Sequence, residues 1–311
     1  MVIYNDLNKF NVKHPVISIG MFDGVHLGHK HIISNLQQIA KKTNGESVLI
    51  TFSPHPRLFL NPTDSNLQLI NTIEEKFELL EKSGVDNLLI IPFTKDFSEL
   101  TSCQFIENFL VEKIKLSHLV VGYNHRFGKN REGSFKNLAN CASIFNFKIE
   151  QLGEVKIDNE NVSSTKIRKL LKIGNVKLAN KYLNYKYFIN GIVTDGQKIG
   201  RKLGFPTANI LIEGKNKLIP GDGVYAVEVF LEEKKYFGML NIGVRPTISE
   251  TQTKKSIEVH IFNFHESIYK KKIKLAFIEK IRDEQKFENL EQLSKQLETD
   301  KKTIMKLCSL T

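Results

Sequence analysis

A chain of 311 residues is too long for one typical domain and comfortable for two. Hydrophobic residues make up 41% and charged residues 25%, a globular balance that excludes collagen-like, low-complexity and largely disordered chains. The formal net charge is +11, but only 7 of the 45 basic residues are Arg, and a Lys excess of this kind also follows the base composition of a coding gene, so charge alone names no partner.

The longest apolar runs are a handful of residues, as in Leu88 to Pro92, far short of the roughly 20 that cross a bilayer. The opening MVIYNDLNKF has no basic segment followed by an apolar one, so no secretory signal is expected. Cys103, Cys141 and Cys308 form no CxxC spacing, and a reducing cytoplasm is the expected compartment.

The first half alternates strand and helix patterns. Val16 to Met21 is a short apolar run, and His29 to Lys41 carries Ile32, Ile33, Leu36, Ile39 and Ala40 at helical spacing. Ser47 to Phe52, Asn87 to Phe93, Ser117 to Gly122 and Phe145 to Leu152 read as strands, with Glu74 to Lys82 and Cys103 to Lys113 as helices. This alternation predicts a parallel sheet with helices on both faces. Ser164 to Lys172 and Val176 to Leu183 read as two short helices joined at Gly174-Asn175. From Phe188 onward short strands follow one another: Phe188 to Val193, Asn209 to Ile212, Gly223 to Leu231, Lys235 to Ile242, Ser256 to Phe264 and Lys272 to Ile281. Such a run predicts a small antiparallel barrel, closed by a helix over Leu290 to Leu307. The expected domains are residues 1–185 and 186–311.

Ser18 to Ile33, SIGMFDGVHLGHKHII, passes from a strand through a glycine-bearing loop into a helix. His26, Gly28 and His29 stand in the order His-x-Gly-His where free backbone N–H groups at a helix start favour phosphate. Asp23 reads equally well as a loop-shaping or a capping residue. No carboxylate or cysteine pattern beside these histidines supports zinc. This motif resembles the signature of the nucleotidyltransferase superfamily, whose chemistry is in-line displacement at a nucleotide α-phosphate. A second basic element is SSTKIRKLL, with Ser164, Thr165, Lys166 and Arg168 at a helix start.

Nine segments in order, GMFDGVHLGH, TFSPHPR, VVGYNHRFGKNREG, SSTKIR, GRKLGFPTANI, GVYAV, LNIGVRPTI, IEVHIFNF and IRDEQKF, resemble the prokaryotic bifunctional riboflavin kinase/FMN adenylyltransferase (FAD synthetase) family. The resemblance implies a Rossmann-like nucleotidyltransferase domain followed by a riboflavin kinase barrel. It implies ATP as co-substrate, with riboflavin, FMN and FAD as substrates and products and Mg²⁺ as the metal. It further implies that Gly20, Phe22, Asp23, Gly24, Gly28, Asn124, Arg126, Ser164, Thr165 and Arg168 bind ATP or its phosphates, and that His26 and His29 serve adenylyl transfer. His55 and Pro56 match the loop on the flavin side. His125 stands where the family more often has Phe.

In the second half, Gly191 to Ile210 is dense in glycine but is not a Walker A loop. Gly196, Gly200 and Gly204 are the candidate phosphate-wrapping positions. Read alone, Pro206 to Asn209 is a turn entering a strand; by the resemblance, Thr207 and Asn209 are hard oxygen ligands for Mg²⁺. Strand alternation puts Glu258 and His260 on one face of IEVHIF and Ile257, Val259 and Ile261 on the other. A lone Glu on a polar strand face is usually solvated; the resemblance makes Glu258 the base that accepts the ribityl proton. Asn241 and Arg245 read as structural or loop-forming. Arg282, Glu284 and Phe287 match a segment that closes over the flavin. The expected partners are these small molecules, with no nucleic acid and no membrane, and a monomer or weak homo-oligomer is expected.

Overall fold

The computed structural model describes residues 1–61, 67–123, 126–128, 133–195, 200, 203–245 and 254–309. Backbone packing separates two compact units, Met1–Ser164 and Thr165–Thr311.

The first unit is built on a six-stranded sheet: β1 (Val2–Tyr4), β2 (Val16–Ile19), β3 (Ser47–Ser53), β4 (Asn87–Pro92), β5 (His118–Gly122) and β6 (Lys148–Leu152), in the order β1-β4-β3-β2-β5-β6. Every pairing is parallel. The helices are α1 (Leu27–Lys42), α2 (Pro56–Leu60), α3 (Ile73–Lys82), α4 (Lys95–Ser98), α5 (Ser102–Phe105) and α6 (Phe135–Phe145). Alternate strand residues decide the layers. Ile17, Ile19, Val48, Ile50, Leu89, Ile91, Leu119 and Val121 share one core with Phe105, Ile106, Leu110, Leu138 and Cys141. On the other face α1 buries Ile33, Leu36 and Ala40 and packs against β2, β3 and β5. A two-stranded ribbon, β7 (Lys156–Ile157) and β8 (Glu160–Asn161), completes the unit.

The sequence pattern over Phe145 to Leu152 predicts one strand, but Phe145 ends α6, Asn146 turns the chain with φ 55°, and β6 begins at Lys148. The helix α6 itself, capped by Ser134 accepting from the Asn137 N–H, was not expected.

The helix α7 (Ser164–Lys172) starts on the last residue of the first unit and otherwise belongs to the second, followed by α8 (Val176–Leu183). Six antiparallel strands follow: β9 (Phe188–Thr194), β10 (Ala208–Ile212), β11 (Gly223–Leu231), β12 (Lys234–Arg245), β13 (Lys254–Ile261) and β14 (Lys272–Arg282). They close a barrel in the order β10-β13-β12-β11-β14-β9. Tyr225, Val227, Val229, Leu240, Ile242, Val259, Leu275 and Phe277 are all fully buried. The outward residues Val224, Ala226, Met239 and Phe262 form a second core with Phe205 and Ile304 of α9 (Leu290–Cys308). The two short helices belong to the barrel unit because α8 packs on β14. Asn180 donates to the Phe277 carbonyl (2.8 Å) and accepts from the Tyr187 N–H (2.7 Å).

Candidate active sites

The β2–α1 turn of the first unit is strained and is held by four residues outside it. Phe22, Gly24 and Val25 adopt φ values of 49°, 90° and 35°. A β-branched residue there is a backbone outlier, costing on the order of 1–2 kcal/mol. The Asp23 carboxylate accepts from the Ile70 N–H (3.0 Å) and the Asn71 N–H (3.2 Å). The Asp23 carbonyl accepts from the Ser164 hydroxyl (2.8 Å). Lys76 donates to the Met21 carbonyl (3.3 Å). Asp23 therefore caps a distant backbone segment as well as shaping its own loop.

Where the turn ends, His26 caps α1 by accepting from the His29 N–H at 3.4 Å. The two imidazoles stack with centroids 3.6 Å apart, and the Phe22 ring meets His29 edge-on at 5.3 Å. A Cβ on Gly28 would lie 3.1 Å from the His26 ring, so glycine permits this stack. His29 Nδ1 is buried and has no hydrogen-bond partner among the described residues. Burial, then His26, then Lys76 hold the His29 imidazole well below the usual histidine range, so it is neutral at pH 7. Gly20 donates its N–H to the Ile50 carbonyl (3.0 Å) and lies under the Phe22 ring.

His55 caps α2 by accepting from the Arg57 N–H (3.2 Å), and Pro56 takes the first helical position. Phe59 of the same helix meets Phe93 edge-on, and Phe52, Phe93 and Phe97 are mutual ring neighbours. Arg126 is exposed. Asn124 and His125 lie outside the described residues. Thr165 and Arg168 lie on α7 in the second unit, where Lys166 sits 5.2 Å from the Tyr182 ring centroid.

In the barrel, Glu258 of β13 lies directly across from Asn209 of β10 on one side and Asn241 of β12 on the other. Register partners project from the same face, so three polar side chains form one row. Thr207 Oγ1 donates to Glu258 Oε2 at 3.1 Å. The sequence alone reads Asn241 as structural or loop-forming; only the strand register places it beside Glu258. The expected alternation holds: Val259 is fully buried, while His260 points to the outer face and its ring shares a hydrogen bond with the Pro206 carbonyl (2.8 Å). Burial lowers the His260 imidazole pKa, with Pro206 opposing and Lys301 assisting.

The Gly200 carbonyl accepts from the N–H groups of Leu203 and Phe205, and Gly204 has a φ of 81°. Gly196 lies outside the described residues. Arg282 forms a two-pronged pair with the buried Asp300 of α9, with Nε 2.9 Å from Oδ2, and its guanidinium lies 5.7 Å from the Phe287 ring centroid. The Glu284 carboxylate rests against the Gly243 backbone where any side chain would collide. Phe287, Gln285, Lys286 and Gln296 line a cleft of about 430 Å³.

Thr207, Asn209 and Glu258 are an oxygen-rich donor set of the kind that suits Mg²⁺. The Thr207 hydroxyl can donate to Glu258 while its lone pairs face a cation, so the residues present fit the metal. Among the described residues no group of three or more His, Cys, Asp or Glu side chains could hold a metal ion.

A parallel α/β unit with a phosphate-type turn, joined to a barrel bearing this oxygen cluster, defines a two-module, nucleotide-dependent transferase. Residues 9–166 match the family model for FAD synthetase and residues 183–308 that for riboflavin kinase. A bifunctional riboflavin kinase/FMN adenylyltransferase from Buchnera aphidicola is 38% identical over 98% of this chain and 97% of its own. One from Listeria monocytogenes is 36% identical over 96% of this chain and 91% of its own. A crystal structure described as a macrolide-efflux protein from Streptococcus pneumoniae superposes with a TM-score of 0.89 at 28% identity, covering 98% of both chains. The chain belongs to the bifunctional riboflavin kinase/FMN adenylyltransferase family.

Proposed function

We propose that the two modules catalyse successive steps of flavin cofactor synthesis. The barrel phosphorylates riboflavin to FMN with ATP, and the α/β unit transfers AMP from ATP to FMN, giving FAD and pyrophosphate. The observation that carries the kinase reading is the Thr207–Glu258 hydrogen bond beside Asn209.

In the kinase step Glu258 accepts the proton of the ribityl 5′-hydroxyl as its oxygen attacks the γ-phosphorus. The bond to the β–γ bridging oxygen breaks and ADP departs with the electron pair. Thr207 and Asn209 are the residues that would hold Mg²⁺, which neutralises phosphate charge when bound. Gly196, Gly200 and Gly204 wrap the ATP phosphates, and Arg282, Glu284 and Phe287 border the flavin.

In the adenylyl step an FMN phosphate oxygen attacks the α-phosphorus of ATP, and the α–β bridging bond breaks to release pyrophosphate. No covalent intermediate on the protein is needed; alignment and charge stabilisation suffice. The neutral His29, stacked on His26, serves as a hydrogen-bonding group to phosphate rather than as a cation. Gly20, Phe22, Asp23, Gly24 and Gly28 shape this loop. Asn124, Arg126, Ser164, Thr165 and Arg168 supply further phosphate contacts, and His55 and Pro56 border the flavin.

We place the functional boundary at 185/186, ahead of β9, and the protein in the cytoplasm as a monomer or weak homo-oligomer. Free thiols at Cys103, Cys141 and Cys308 agree with a reducing compartment, and no described helix is long and apolar enough to cross a membrane. Incubation of the full chain with riboflavin, ATP and Mg²⁺, followed by separation of riboflavin, FMN and FAD, tests the reading. FMN should accumulate first and FAD follow; absence of either product removes the corresponding activity.

A further inference from the structure

The helix α3 carries a run of Glu and Lys, EEKFELLEK, yet Lys76 is only 7% exposed. Its ammonium donates to the Met21 carbonyl (3.3 Å) and to the Thr51 hydroxyl (3.4 Å). Met21 opens the turn in which Phe22, Gly24 and Val25 are left-handed. The same stretch of chain holds that turn a second time, through the Ile70 and Asn71 N–H groups on the Asp23 carboxylate. The charged and titratable groups acting on this site are Asp23 in the turn and His29 on α1, with His26 stacked on His29. Thr51, from β3, is neutral.

A buried ammonium is a costly way to brace a carbonyl. Desolvating the charge is unfavourable, and a neutral donor would satisfy the same oxygen. A cation is worth retaining where an anion arrives close by. The turn braced by Lys76 is the one that carries the His-x-Gly-His loop.

We propose that Lys76 is a positioning residue for adenylyl transfer: from beneath the Met21–Val25 turn it fixes the loop that receives the ATP phosphates and lends that loop buried positive charge. The proposal rests on the adenylyltransferase reading of this unit. Lys76 exchanges no proton with substrate. It acts through the Met21 carbonyl, the turn and His29.

The test compares the full-length chain with its K76M and K76R variants. Three quantities are measured: FAD formation from FMN and ATP between pH 6.5 and 9.5, FMN formation from riboflavin, and the melting temperature. Removing a group that orients the reacting groups should lower kcat for FAD formation about 10- to 100-fold in K76M. FMN formation should be unchanged, and the melting temperature should not fall, because an apolar side chain replaces a desolvated charge. Burial brings the Lys76 pKa down to about 8 against the opposing pull of Asp23, so the wild-type adenylyl rate should decline above that pH. K76R keeps the charge, and should retain the rate within several-fold while losing this decline. Wild-type FAD formation in K76M overturns the proposal. So does a loss of activity that tracks a lower melting temperature and is not restored in K76R. If the wild-type chain forms no FAD from FMN, the adenylyltransferase reading itself fails.

Discussion

The hydroxyl of Thr207 and the carboxylate of Glu258 are 3.1 Å apart, although they come from the loop before β10 and from the middle of β13. The strand register makes this contact a fixed feature, since Asn209, two residues beyond Thr207, is the direct partner of Glu258. The hydroxyl fixes the Oε2 atom of this carboxylate within the row that Asn209 and Asn241 share with it.

Replacing Glu258 with Gln removes the proposed proton acceptor while keeping the shape. FMN formation should fall by about 10²- to 10⁴-fold, and FAD formation from supplied FMN should remain. Thr207→Val should also impair FMN formation, whereas Thr207→Ser, which keeps the hydroxyl, should restore most of it. Equal loss of both products from a folded Glu258→Gln protein would sink the division of labour between modules. The measurement is chromatographic separation of the flavins from parallel riboflavin and FMN reactions.

The pH dependence of stability follows from His29. Burial first, then His26 and Lys76, depress its folded pKa well below 6.5. The unfolded chain protonates this imidazole near pH 6.5, while the folded chain resists. As pH falls below that point the unfolded state binds more protons, so the stability contributed by neutral His29 is present above pH 6.5 and lost on acidification. The depressed His260 adds in the same direction. The melting temperature should therefore drop as pH is lowered from 6.5 toward 5. His29→Gln should flatten that slope and reduce FAD formation without reducing FMN formation.

Asp23 stabilises through two buried backbone N–H groups, those of Ile70 and Asn71. Asp23→Ala leaves both unsatisfied, at a cost of about 2–4 kcal/mol. It also releases the strained Phe22 and Val25 turn. Denaturant unfolding should show that loss, and FAD formation should fall with it. An unchanged midpoint would mean that water or relaxation satisfies the two amides.

Much of the architecture is legible in local pattern. The alternation of Ile257, Val259 and Ile261 against Glu258 and His260 predicts the two faces of β13, and the buried and outward positions follow it. The strand–glycine–helix order of SIGMFDGVHLGH predicts the turn before α1. The missing parts are long-range. Nothing near Asp23 signals that its carboxylate is held by Ile70 and Asn71, and nothing near Lys76 in a run of Glu and Lys signals burial. Asn241 becomes a neighbour of Glu258 only once β12 and β13 are paired. The short β1, Val2–Tyr4, has too few residues to show a period, and gains its place by pairing with β4.

Arg282 raises a different question, because its guanidinium is already engaged. Asp300 is 1% exposed and takes both prongs of Arg282 together with an N–H of Gln296 (2.8 Å). The pair ties the end of β14 to α9, and the guanidinium lies 5.7 Å from the Phe287 ring. Asp300→Asn preserves volume but halves the acceptor capacity and removes the charge. Breaking a buried pair costs about 3–5 kcal/mol, and the partial exposure of Arg282 should reduce this to about 2–3 kcal/mol. If Arg282 and Phe287 border the flavin, loosening the guanidinium also raises the riboflavin KM, while FMN-to-FAD conversion is untouched. Melting temperature and riboflavin KM, measured on the same Asp300→Asn preparation, separate the two effects. A lower melting temperature with an unchanged KM would confine the Arg282–Asp300 pair to holding α9 in place.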